Sequence, residues 1–194
     1  LYGKSGEYVF ETIKDFLLKN NFITKEWNAL NILNQHASRV GAIDLNVYSI
    51  EEKNNFSFFE KLNSDKFKLI YLLGADDIKF SKGDKFIVYQ GSHGDKGAEM
   101  ADIILPGAAY TEKNATYVNT EGRVQKTQLA VFPVGEAKED WAIIRALSEV
   151  LGHKLPYDSL TQVRNRMIEI NKVFKGDDQA TGGAWGKFGS KGLL

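Results

Sequence analysis

Apolar residues recur every three or four positions near the start of this chain and gather into short unbroken runs further on. Val9, Ile13, Phe16 and Leu17 share one stripe, which predicts a helix over residues 7–19 closed by Asn20-Asn21. Leu30, Leu33, Ala37 and Val40 step the same way, so residues 27–40 are expected to be helical up to Gly41. A shorter helix is expected over 56–62. The pattern then changes. Residues 68–73 (KLIYLL), 85–89 (KFIVY) and 103–105 (IIL) are strand-sized apolar blocks, and each runs into glycine-bearing turn chemistry. One or two helical turns are expected over 96–102. Helical spacing returns over 137–151, where Trp141, Ile144, Leu147 and Leu151 form the stripe and Gly152 is a natural stop. Ser159 and Gln162 have capping-box form ahead of a helix over 160–170.

Short apolar strands separated by helix- or loop-sized segments predict an α/β fold: a doubly wound, mainly parallel sheet with helices on both faces. In such a sheet Ile104 is expected to be dry. Six of the last 24 residues are glycine and show no period, so the chain divides into an α/β unit over 1–170 and a glycine-rich tail over 171–194, expected to be flexible. The first residue is Leu1 rather than methionine, and the chain is expected to be a fragment of a longer polypeptide.

Composition narrows the chemistry. Lys+Arg and Asp+Glu stand at 25 each, so no electrostatic footprint for nucleic acid exists. No apolar run approaches the ~18 residues of a membrane span, and direct membrane insertion is not expected. With no cysteine, disulfides, thiolate nucleophiles and all-cysteine iron–sulfur clusters are excluded from this stretch. His36, His93 and His153 have no metal-ligand spacing. His93 beside Asp95 could suggest a general base, yet no nucleophile accompanies it, and a lone loop histidine is more simply solvated. Trp27 and Trp141 read as core or interface anchors, and Lys138-Glu139-Asp140 as a solvated first turn.

The richest candidate site follows the third strand. After Pro106-Gly107 come Glu112, Asn114, Thr116, Asn119, Glu121 and Arg123. A strand running out into such a cluster is how open α/β sheets build binding crevices, and Gly91 lies at the neighbouring strand end. These side chains could grip a purine or pterin edge, with Arg123 on a phosphate. They could equally serve as turn caps in a winding loop.

The segment 101–125, ADIILPGAAYTEKNATYVNTEGRVQ, resembles the hallmark stretch of the molybdopterin oxidoreductase family. It is closer still to the version in the large iron–sulfur subunits of respiratory complex I. Residues 27–33, 37–44, 89–98, 136–149 and 155–166 extend that resemblance. It implies a peripheral-arm subunit of NADH:quinone oxidoreductase whose partners are other complex I subunits. The implied location is the matrix side of the inner mitochondrial membrane or the cytoplasmic face of a bacterial one. Iron–sulfur clusters are implied only for the N-terminal part of the full-length subunit. Cofactor-carrying family members typically place an Asp and a Glu-Thr pair where this chain has Gly91 and Lys96-Gly97, so the resemblance implies a scaffold without its pterin and with no cofactor of its own. Glu112, Asn114, Asn119, Glu121, Arg123 and Gly91 would then line a vestigial pocket. The loop's polar residues are expected to tie it to neighbouring strand ends, with Glu121 and Arg123 as a buried pair. Two other readings remain open: a fragment of an active molybdopterin enzyme of formate-dehydrogenase type, and a stand-alone nucleotide-binding module.

Overall fold

A computed structural model describes residues 5–34, 36–47 and 60–176. Helix α1 spans Gly6–Lys19 and ends at Asn20, with Asn21 left-handed at φ 57°. Its apolar stripe stands largely exposed among the described residues, with Phe16 stacked on Phe22. The helix expected over 27–40 is reduced to α2, Arg39–Asp44. The reason is local competition for the backbone. Thr24 Oγ1 accepts the amides of Glu26 and Trp27, Asn28 Oδ1 accepts that of Leu30, and Asn34 donates to the Ile32 carbonyl. Trp27 is about half exposed. Of the short helix expected over 56–62, residues 56–59 lie outside the described residues, and 60–63 are helical.

The sheet holds β1 (Leu69–Leu73), β2 (Phe86–Gly91) and β3 (Ile103–Pro106), parallel and in chain order, with α3 (Lys96–Met100) between β2 and β3. Side chains alternate between faces. Ile70, Leu72, Ile87 and Tyr89 point to a core closed by Leu62, Ile78, Phe80, Ala98 and Met100. The other face carries Tyr71 and Gln90 under the start of α4 (Asp140–Val150), while Leu69, Leu73, Phe86 and Ile103 stay exposed. The α/β expectation therefore holds, with helices on both faces. The dry position does not. Ile104 is 53% exposed: it lies outside the core cluster that buries Ile70 and Leu72 of β1 and, at 0% exposure, Ile87 of the central strand.

Helix α4 begins three residues later than its apolar period suggested. Lys138 is drawn into a parallel bridge with Gly107: its amide donates to Pro106 and its carbonyl accepts from Ala108. Gly152, at φ 76°, ends the helix. Helix α5, Leu160–Ile170, matches its expected span. Ser159 Oγ accepts the Gln162 amide, and the Gln162 side chain reaches back to the Asp158 amide.

A second core was not anticipated. The hallmark loop contains an antiparallel hairpin, β4 (Thr116–Val118) and β5 (Val124–Lys126). Val118 and Val124 pack with Phe174 from a 3-10 turn over Lys172–Lys175, against Val40, Leu45, Met167 and Ile168. Asn171 ties this unit to α2 through the Asp44 carbonyl. The packed chain thus continues past Ile170 to Phe174. Residues 177–194 lie outside the described residues.

Ile87→Asp should abolish cooperative folding, because an unpaired charge there costs several kcal/mol, on the order of a domain's whole stability. Ile104→Asp should shift the thermal midpoint only modestly. Equal losses from the two substitutions in a thermal melt would contradict this sheet arrangement.

Candidate functional site

The three parallel strands end side by side, and their following turns form the rim where open α/β sheets receive ligands. After β1, Gly74 turns at φ 61° and donates to the Gln90 carbonyl. After β3, Gly107 donates to the Gly91 carbonyl at 2.9 Å. A Cβ on Gly107 would lie 3.0 Å from Asp140 Oδ1 and 3.5 Å from the Gly91 backbone. The rim is closely packed there.

One polar chain runs through it. Gln90 is fully buried. The Tyr71 hydroxyl donates to its Oε1 through a short hydrogen bond. Its Nε2 donates to Asp140 Oδ1 at 2.9 Å and to the Asp140 carbonyl at 3.3 Å. The other Asp140 oxygen pairs with the Lys113 ammonium. Next door, Glu139 accepts the Asn114 amide at 3.0 Å and the Trp141 indole N–H at 2.6 Å. Glu139 and Asp140 are thus half-buried clamps on the loop, not a solvated first turn. Burial raises the Tyr71 hydroxyl pKa above its ordinary value of 10.0, and the Asp140 charge adds to this.

The candidate side chains are mostly committed to their own loop. Glu112 accepts the Ala109 amide at 3.0 Å. Asn114 Oδ1 accepts the Leu129 amide at 3.1 Å. Asn119 Oδ1 accepts the amides of Glu121 and Arg123 at 3.0 and 2.9 Å, closing the hairpin turn with Gly122 at φ 81°. Thr116 opens β4 opposite Lys126. The expected buried pairing of Glu121 with Arg123 does not hold. Both are exposed, in the tip of the β4–β5 hairpin. His93 is exposed, its Nδ1 2.9 Å from Ser92 Oγ.

Sequence reading missed Tyr71, Gln90, Lys113 and Asp140. One signal was available: a glutamine at a face-inward position of an apolar central strand needs buried partners. A second clamp lies further along. Arg145 donates to Asp158 at 2.8 and 3.2 Å and to Glu149 at 2.9 Å, holding α4 to the turn before α5. Hydrogen bonding from Arg145, with Lys154 nearby, holds the Glu149 carboxyl below its usual range.

Among known proteins, the molybdopterin oxidoreductase family matches residues 2–150. The NADH-ubiquinone oxidoreductase 78 kDa subunit of Candida albicans is 52% identical over 171 residues, covering 87% of this chain and 22% of that protein. The 75 kDa subunit of Reclinomonas americana is 50% identical over 173 residues, covering 88% of this chain and 24% of that protein. The NADH dehydrogenase iron-sulfur protein 1 of Solanum tuberosum is 45% identical over 164 residues, covering 84% and 21%. The chain thus spans between a fifth and a quarter of the length of these relatives. Among solved structures, acetylene hydratase from Pelobacter acetylenicus superposes with a TM-score of 0.50 at 21% identity, covering 69% of this chain and 23% of that one. That likeness concerns the fold alone.

Asp140→Ala should lower stability by about 1–3 kcal/mol for each buried donor it strands, Gln90 Nε2 first. Asp140→Asn should recover part of the loss. A tyrosine that ionises later folded than unfolded keeps its full contribution below its unfolded pKa and loses it as pH rises beyond. The thermal midpoint should therefore fall above pH 10.0, the ordinary tyrosine value, and fall less steeply in Tyr71→Phe. Superimposable alkaline profiles for the two proteins would remove Tyr71 from the network.

Proposed function

This chain belongs to the molybdopterin oxidoreductase family, and we propose that it forms part of the large iron–sulfur subunit of NADH:quinone oxidoreductase. There it acts as a packed scaffold and docking surface in the peripheral arm. The observation that carries this reading is the near one-in-two identity, over most of the chain, to subunits bearing that name. The whole enzyme moves electrons from NADH to quinone and couples this to proton translocation. The partners of this segment are other subunits of the same complex. Its location is the matrix side of the inner mitochondrial membrane, or the cytoplasmic face of a bacterial one. No described helix is long and apolar enough to cross a membrane.

The residues present do not fit a redox group. A chain without cysteine cannot supply the thiolates of an all-cysteine iron–sulfur cluster, so the clusters belong to the remainder of the longer polypeptide. In the hallmark loop, several acceptors that a pterin nucleotide could use are engaged within the protein. Oxygens of Glu112, Asn114 and Asn119 already accept backbone amides of their own segment. Backbone donors in a folded loop must be met somewhere, and these amides are met by the loop's own side chains. The formate-dehydrogenase-type alternative is not favoured, since the named relatives are complex I subunits.

Metal analysis of the full-length protein should find iron and acid-labile sulfide without molybdenum or tungsten. Calorimetric titration with GMP should give no binding heat. Extractable pterin, or low-micromolar GMP binding lost on Arg123→Ala, would restore the cofactor-carrying alternative.

A further inference from the structure

Helix α5 carries a half-buried stripe of Leu160, Val163, Arg164, Met167 and Ile168, and the arginine is the misfit in it. Met167 and Ile168, one turn further along, pack on the core of Val118, Val124 and Phe174. Arg164 Nε and Nη2 are shielded from water, and among the described residues neither has a hydrogen-bond partner. A guanidinium is always charged, and a buried charge without a counter-ion is costly. The two nitrogens belong together. They carry the parallel N–H groups along one edge of the planar fork, the edge that accepts a carboxylate. Elsewhere the chain uses that same edge in this way: Nε and Nη2 of Arg145 both donate to Asp158, at 3.2 and 2.8 Å.

The surrounding charge favours an anion. The elements of the second core, residues 39–44, 116–126 and 160–175, carry seven lysines and arginines against three acids, in a chain that is neutral as a whole. One of the three, Glu169, is already engaged by Arg166 at 3.0 Å. Arg164 as a residue is only partly buried, so its guanidinium can turn about the outer torsions of the side chain to meet a group arriving from outside. No hydrogen bond of that edge is broken when it turns.

We propose that Arg164 anchors a docking surface on the second core, its Nε–Nη2 edge receiving an Asp or Glu carboxylate from an acidic segment of a neighbouring complex I subunit. The inference rests on the reading of this segment as a docking surface in the peripheral arm, and it names the face and the chemistry of the contact. By itself the subunit bears the cost of an unpaired charge. Assembly removes that cost by forming a charge-assisted pair. The positive surroundings act at longer range, steering the acidic segment in, and salt weakens that contribution.

The test uses the full-length subunit, alone and in the assembled complex. Arg164→Met keeps an unbranched side chain and removes the charge. Alone, the variant should melt at the same temperature as the unaltered subunit or higher, because an unpaired buried charge is gone. In the complex it should exchange against tagged unaltered subunit at least roughly tenfold faster, as loss of one partner of a buried charge pair speeds dissociation. Arg164→Lys then identifies the occupant. A carbodiimide, which couples amines to adjacent carboxylates, should join residue 164 to an Asp or Glu of another subunit, as read by peptide mass spectrometry. Where no coupling forms, the exchange rate alone decides. Equal exchange rates, or coupling only to acids of the same chain, would overturn the proposal. So would a lower melting temperature of Arg164→Met alone, which would assign Arg164 a structural role within this chain. A full-length protein that joins no complex I subunit defeats the scaffold reading instead, so the two failures are separable.

Discussion

A buried amide in the central strand sets the terms for everything around it. Gln90 has no solvent exposure, and a primary amide left unpaired in such a place costs a good part of a small domain's stability. Its acceptor takes the Tyr71 hydroxyl from the neighbouring strand, and its donor goes to Asp140 at the head of α4. Asp140 in turn holds Lys113 from the hallmark loop. Four segments distant in sequence are thus fixed relative to one another by one side chain's need for partners. This placement requires Gly107, because a side chain there would press on Asp140 Oδ1.

The same logic converts a ligand-like constellation into structural glue. Amide and carboxylate side chains suit a purine edge because they accept N–H groups, and backbone N–H groups are the same kind of donor. Asn119 closes a hairpin tip, Asn114 receives Leu129, and Glu112 receives Ala109. The hairpin so formed brings Val118 and Val124 onto Phe174, giving the loop an apolar anchor of its own. Helix α2 runs beside this anchor, and a methyl at Gly41 would make ordinary contact with Val118 Cγ2 at 3.5 Å.

What could be read from the sequence follows from which interactions are local. The three parallel strands, α1 and α5 were legible because apolar period and capping chemistry act within a few residues. The stretch 27–40 misled because its apolar spacing is helical while Thr24, Asn28 and Asn34 offer the backbone competing bonds. The β4–β5 hairpin was hidden by strands of three residues each, too short to show alternation. Ile104 was misjudged because its exposure depends on what packs over that face of β3, which no local pattern encodes. The candidate loop was recognised as important, yet which of its side chains stay exposed, as Glu121 and Arg123 do, and which are engaged, as Asn114 is by the Leu129 amide, is a tertiary property.

Tyr89 and the two glycines that frame it show how a large ring fits at the strand end without disturbing the sheet. A strand position two residues before the rim already points into the core face, so a large ring there needs space only at the turn. Glycine at 91 and 97 supplies that space, and the His93 carbonyl supplies the hydroxyl's acceptor. The arrangement is mutually dependent. A side chain at Gly91 would strike the ring, and removing the ring would leave a cavity in the core. The ring is held there by packing and by the hydroxyl's bond to the His93 carbonyl together.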